Sequence, residues 1–159
     1  MLKKKGFTLV ELLVAATIVG ALLVFATVQY RNSAAEARWN HAKVYTKYLA
    51  NAILQARMDY ANIDFDGAMS NSAPSTACTY NQSTTLVLPG TLIACGYLEN
   101  SEWQDDYFVY YACKKNNPNS NCQSGALACV KVASGAKMPS SYQNYQYCVF
   151  ENAEQEYAS

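Results

Sequence analysis

From Phe7 to Val28 every position is apolar or small, apart from threonines and a single carboxylate, Glu11. The 22 residues of that run would extend about 33 Å as a helix, against about 30 Å for the hydrocarbon core of a bilayer. A helix without a polar face does not belong on the surface of a soluble domain. Glu11 narrows the reading further, because a carboxylate at membrane depth costs about 2.5–3.5 kcal/mol on insertion scales and so calls for a partner. Ahead of the run, Met1–Gly6 is a short basic leader whose Lys3, Lys4 and Lys5 favour a cytoplasmic N-terminus. A secretory signal peptide would have a shorter apolar region closed by a small-residue cleavage site. An ordinary membrane anchor accounts for the apolar run but not for Glu11, nor for Gly6-Phe7 after three lysines.

Past Val28 the helical pattern continues. Ala35, Trp39, Ala42, Tyr45, Leu49, Ile53 and Ala56 recur every three or four residues, and most charged side chains fall off that stripe. Neither Gly nor Pro interrupts residues 21–60. The spacing predicts one long helix, apolar all round in its first half and one-sided in its second, leaving the membrane near Gln29–Arg31.

The string Lys3-Lys4-Lys5-Gly6-Phe7-Thr8-Leu9-Val10-Glu11-Leu12-Leu13 resembles the N-terminal signature of type IV pilins and the related pseudopilins. The resemblance implies that a prepilin peptidase cuts between Gly6 and Phe7 and methylates the new amine on Phe7. It also implies that Glu11 pairs with the N-terminal amine of a neighbouring subunit during filament growth. Gly20 lies where many pilins carry a glycine that loosens the helix during assembly. Val28 lies where many major pilins have proline, which favours a minor pilin or pseudopilin. The stretch from Gly96-Tyr97-Leu98 through Trp103, Asp105 and Tyr107 loosely resembles a segment of type II secretion pseudopilins, without their Asp-Pro turn.

After Tyr60 the texture changes. Residues 64–82 read as a polar surface loop, and Thr84–Leu88 as a short strand. Thr91–Leu98 is a short helix or a strand. Tyr107–Cys113, Ala126–Ala133 and Tyr145–Phe150 read as strands, joined by loops over Asn116–Gly125 and Ser134–Gln143. The expected fold is α+β: a long N-terminal helical spine packed on a small antiparallel sheet. Its divisions are a leader (residues 1–6), a membrane or filament-core helix (7–28), an amphipathic continuation (29–60) and a cysteine-rich β head (61–159).

All six cysteines, Cys78, Cys95, Cys113, Cys122, Cys129 and Cys148, lie beyond the apolar run. An even number in a small extracytoplasmic domain points to disulfides of about 2–4 kcal/mol each. No C-x-x-C spacing suggests a redox site or a zinc ribbon. Sequence leaves the connectivity open. Strand adjacency favours Cys129 with Cys148, a tight loop favours Cys113 with Cys122, and Cys78 then falls to Cys95.

Other features are bland. The chain carries 12 basic and 12 acidic residues; without the three leader lysines the side chains sum to 9 − 12 = −3, with no broad basic face for nucleic acid. Asp105 and Asp106 are too few for calcium, which takes about six to eight oxygen ligands. The one histidine, His41, excludes a histidine-dependent triad and reads as solvated. The 13 tyrosines and two tryptophans read first as packing. Asn81-Gln82-Ser83 matches a glycosylation triplet, and Glu151, Glu154 and Glu156 read as a solvated acidic tail. No nucleophile–base pattern, metal spacing or phosphate loop supports an enzyme, and no cofactor is expected.

The expected function is a structural subunit of a type IV pilus or pilus-like filament. Its implied partners are copies of itself, other pilins, prepilin peptidase and an inner-membrane assembly platform. The alternatives are a type II secretion pseudopilin and a minor pilin binding surfaces, sugars or DNA at a filament tip. The expected location is the bacterial inner membrane, N-terminus inside, and then the filament.

Overall fold

The computed structural model describes residues 8–60, 62–70, 78, 86–100, 103, 105–116 and 118–158. The chain divides into two compact units, one ending at Arg38 and one running from Trp39 to Ser159. A single helix, α1, spans Leu9–Asp59. Its continuity is permitted by its composition: no proline interrupts it, and Gly20 is its only glycine.

In the first unit the side chains of Leu9–Val28 are exposed all round the helix, Phe25 at 72% and Leu9 at 81%. One helix, Leu9–Asp59, is long and apolar enough to cross a membrane. Proximity to the N-terminus alone would also fit a signal sequence, but a signal sequence does not run on into a domain's central helix.

The second unit is built on the other half of α1. Trp39, Ala42, Leu49, Ile53 and Ala56 are buried, and Tyr45 is half-buried. Thr46 joins this face although it is polar, because its hydroxyl donates to the Ala42 carbonyl at 2.8 Å. After α1 come β1 (Asp64–Phe65), β2 (Gly67–Ala68), β3 (Leu86–Val87) and a one-turn helix, α2 (Thr91–Ala94). Then follow β4 (Phe108–Ala112), β5 (Ala126–Val132), a 3-10 turn (Ser140–Tyr142), β6 (Tyr145–Phe150) and β7 (Glu154–Ala158). The main sheet is antiparallel, ordered β2-β4-β5-β6-β7, and β1 pairs with β3 in a separate parallel pair.

The sheet's register decides which residues meet the helix. Phe108, Tyr110 and Ala112 of β4 stand opposite Val132, Val130 and Ala128 of β5, and Val130 stands opposite Tyr147 of β6. Those positions share a face by the two-residue period of a strand. On that face Trp39 packs on Phe108 and Tyr145, with ring centroids 5.8 and 6.0 Å away. The other face carries Cys129 and Cys148, directly opposite each other in the β5–β6 ladder. The result is a long N-terminal helix followed by a five-stranded antiparallel sheet, an α+β, pilin-like architecture.

Three elements differ from the expected ones. The loop expected over residues 64–82 contains β1 and β2, each only two residues long and held by pairing with β3 and β4. Of Thr91–Leu98 only Thr91–Ala94 is helical, and Gly96, at a φ of 78°, turns the chain out of it. The acidic tail is strand β7, the edge of the main sheet.

Candidate assembly site

The start of α1 is a capping box. Thr8 precedes the first helical residue, and Glu11 is three residues on. The backbone N–H and the hydroxyl of Thr8 both donate to Glu11 Oε2, each at 2.9 Å. In return the Glu11 N–H donates to Thr8 Oγ1 at 3.3 Å. A threonine N-cap and a glutamate at the third helical position satisfy two orphan donors of a helix end, and the carboxylate lies at the positive end of the macrodipole. Thr8 was missed by the reading of Glu11 as a charge awaiting another subunit. The signal was present in the spacing Thr-x-x-Glu.

The remaining polar side chains of the span are also satisfied within the helix. Thr17 and Thr27 donate to the carbonyls of Val14 and Val24, each at 2.8 Å. Where no water is available, such back-bonding removes the cost of an unpaired hydroxyl. Apart from the adjoining backbone of its own helix, a methyl added at Gly20 would meet no described atom within 4 Å. Packing inside this chain therefore gives no reason for glycine there. Gly6 and Phe7 lie outside the described residues.

Within the second unit, β7 is held against α1. The Trp39 indole N–H donates to Glu156 Oε1 at 2.7 Å, and Lys43 Nζ sits 2.5 Å from Glu156 Oε2. Lys47 Nζ sits 2.9 Å from Glu154 Oε1. The match is geometric: residues two apart on a strand are about 6.6 Å apart, and residues four apart on a helix about 6 Å. The hydrogen bond from Lys47 lowers the Glu154 pKa. Partial burial pushes the Glu156 pKa up, but its bonds from Lys43 and Trp39 outweigh that and leave it lowered. Glu154 and Glu156 are exposed, as expected of the acidic tail, but each is paired with a lysine of α1 instead of free in solvent. His41 is exposed and packs on Tyr45, with ring centroids 4.7 Å apart.

The disulfides are Cys78–Cys95, Cys113–Cys122 and Cys129–Cys148. The last two lie side by side, with Cys113 Sγ 3.7 Å from Cys129 Sγ. This contact is van der Waals packing, since neither sulfur carries a hydrogen. Cys113, Cys122 and Cys129 are close enough together to suggest a metal site, but each is bridged, and no thiolate is left to bind one. Next to them, Asp64 accepts from Arg57, from the Phe65 N–H at 3.1 Å and from the Lys115 N–H at 2.9 Å. Arg57 also donates to the Cys113 carbonyl at 3.3 Å. The end of α1, β1 and the disulfide loop meet at this ion pair.

Residues 1–27 match the prokaryotic N-terminal methylation motif, the signature of type IV prepilins. No curated protein and no solved structure matches the chain. The motif, confined to residues 1–27, supports a type IV pilin-like precursor and points to a structural protein. It also implies processing by prepilin peptidase and assembly with other pilins.

Proposed function

We propose that the chain is a structural subunit of a type IV pilus or pilus-like filament, cut between Gly6 and Phe7 and methylated on Phe7. The observation that carries this reading is Glu11 at the mouth of an unburied apolar helix, under a methylation motif. Before assembly the span Phe7–Val28 holds the subunit in the inner membrane, N-terminus inside. The carboxylate is then tolerable there because Thr8 and the helix N-terminus satisfy it. Cleavage creates a cationic amine on Phe7, and methylation leaves it protonatable. In the filament a neighbour's amine meets Glu11, exchanging a helix cap for a charge-assisted contact in a packed, dry core. Spine-on-spine burial of the exposed apolar side chains supplies cohesion, and the Glu11 contact sets the axial register. Gly20, free of intrachain packing, lets the helix adjust. A second reading is favoured by Val28 and by a helix unbroken through it: a minor pilin or type II secretion pseudopilin, in which this part of the spine stays helical.

Two variants separate capping from pairing. Glu11→Gln keeps an acceptor for the cap but loses the charge; Glu11→Ala loses both. Each is expected to be membrane-inserted and cleaved like the parent, on immunoblots of membrane fractions. Neither is expected to enter sheared filaments. Filaments of normal yield from Glu11→Gln would sink the proposed charge pairing of Glu11, and loss confined to Glu11→Ala would assign its role to the cap.

A further inference from the structure

The head carries a cleft that the filament reading does not use. It encloses about 570 Å³ beside the second half of α1, inside the range of about 300–1,000 Å³ typical of small-ligand sites. One wall is a helix face on which Tyr48, Asn51 and Gln55 stand within two turns. The opposite wall is Tyr97, Glu99 and Trp103 from the segment after α2.

The aromatic part of the cleft is pre-organised. Tyr45 meets Trp103 edge-on at 5.4 Å and Tyr110 at 6.1 Å, and Trp103 donates its indole N–H to the Glu99 carbonyl at 3.0 Å. Tyr97 donates its hydroxyl to Asp59 at 2.5 Å. Tyr48 stands at the rim with 58% of its surface exposed, in edge contact with Tyr45 at 6.3 Å. The polar part is uncommitted. Asn51, Gln55 and Glu99 are exposed, and their side chains have no hydrogen-bond partner among the described residues. Among the described residues, no lysine or arginine lines the cleft.

We infer that this cleft binds a neutral saccharide. A pyranose ring offers an apolar C–H face, which suits the negative face of an aromatic ring. It also offers hydroxyls that donate and accept, which suit planar amides and a carboxylate. The cleft supplies both at close range: its aromatic side chains are already fixed by packing, and only the exposed amides and Glu99 have to be ordered on binding. An anionic sugar has no cation to meet and a carboxylate, Glu99, to oppose it. The inference stands on the head alone, so its failure leaves the filament reading untouched.

The test is calorimetric titration of the full-length chain in a zwitterionic detergent without a sugar headgroup. The probes are cellotetraose and chitotetraose, with tetragalacturonate as the anionic control. At least one neutral tetramer is expected to bind at millimolar or lower concentration, and the control is not. Tyr48→Ala and Asn51→Ala are each expected to weaken binding by about tenfold. Both side chains are exposed, so thermal melting and the three disulfides should be unchanged. The inference is overturned if neither neutral probe binds, if tetragalacturonate binds equally, or if both variants bind like the parent.

Discussion

Asp64 shows how one side chain ties three parts of the head together. It accepts from the Arg57 guanidinium and from two backbone N–H groups, Phe65 and Lys115, while keeping only 16% of its side chain exposed. Asp64→Ala removes the acceptor of all three at once and leaves the guanidinium half-buried with only the Cys113 carbonyl. The expected loss is about 3 kcal/mol in urea unfolding monitored by circular dichroism. Arg57→Met leaves Asp64 with two N–H donors and keeps most of the packing, so about 1–2 kcal/mol is expected. Equal losses in the two variants would mean that the charge pair itself, and not the anchoring of backbone, dominates. Glu11 follows the same logic. Its Oε2 accepts from both the backbone N–H and the hydroxyl of Thr8, so at the membrane depth proposed for it the carboxylate would be partly satisfied within its own helix.

Strand β7 docks through ion pairs that acid should loosen. Glu154 and Glu156 both have folded pKa values below the ordinary 4.5. As pH falls the unfolded chain therefore takes up protons first, and the stability these groups contribute, complete above about pH 5.5, declines from about 4.5 downward through the lowered values. The pairs are well exposed, so the effect is modest. The melting temperature of the parent is expected to fall more steeply below pH 4.5 than that of a Glu154→Gln/Glu156→Gln double variant. Parallel profiles would show that the carboxylates do not hold the strand. The same element marks what could be read from the chain and what could not. The apolar stripe of α1 is local periodicity, and strands β4, β5 and β6 are runs of aromatic and β-branched residues; both survive in any context. Glu-Gln-Glu-Tyr has neither pattern; Glu156 becomes a strand residue through backbone pairing opposite Tyr147 of β6, and its side chain then meets Lys43, 113 residues upstream. Strands β1 and β2, two residues each, are made by their partners and leave no period to detect. At the candidate assembly site Glu11 is legible as an anomaly in an apolar run, whereas its cap, Thr8, is one of several threonines in that run and stands out only through the Thr-x-x-Glu spacing.

At the scale of the whole molecule, one helix has two halves of different character. Its first half exposes apolar side chains around its full circumference, a surface that suits the lipid or neighbouring spines of the proposed function. Its second half is the central element of a separate unit that begins at Trp39 and contains all three disulfides. Folding of that unit should therefore not depend on the span. A fragment Arg31–Ser159 removes the whole apolar run and keeps every residue that anchors β7, the Arg57–Asp64 pair and the disulfide stack. Expressed in an oxidising compartment, it should be soluble without detergent and monomeric on a sizing column. Alkylation before and after reduction, read by mass, should show six protected cysteines. Its near-ultraviolet circular dichroism should melt in a single transition, within a few degrees of the full-length chain in micelles, since the buried aromatic cluster is common to both. Aggregation of the fragment, or a melt without near-ultraviolet signal, would show that the spine's first half is needed to fold the head. The two halves would then form one cooperative structure instead of an anchor joined to an independent domain.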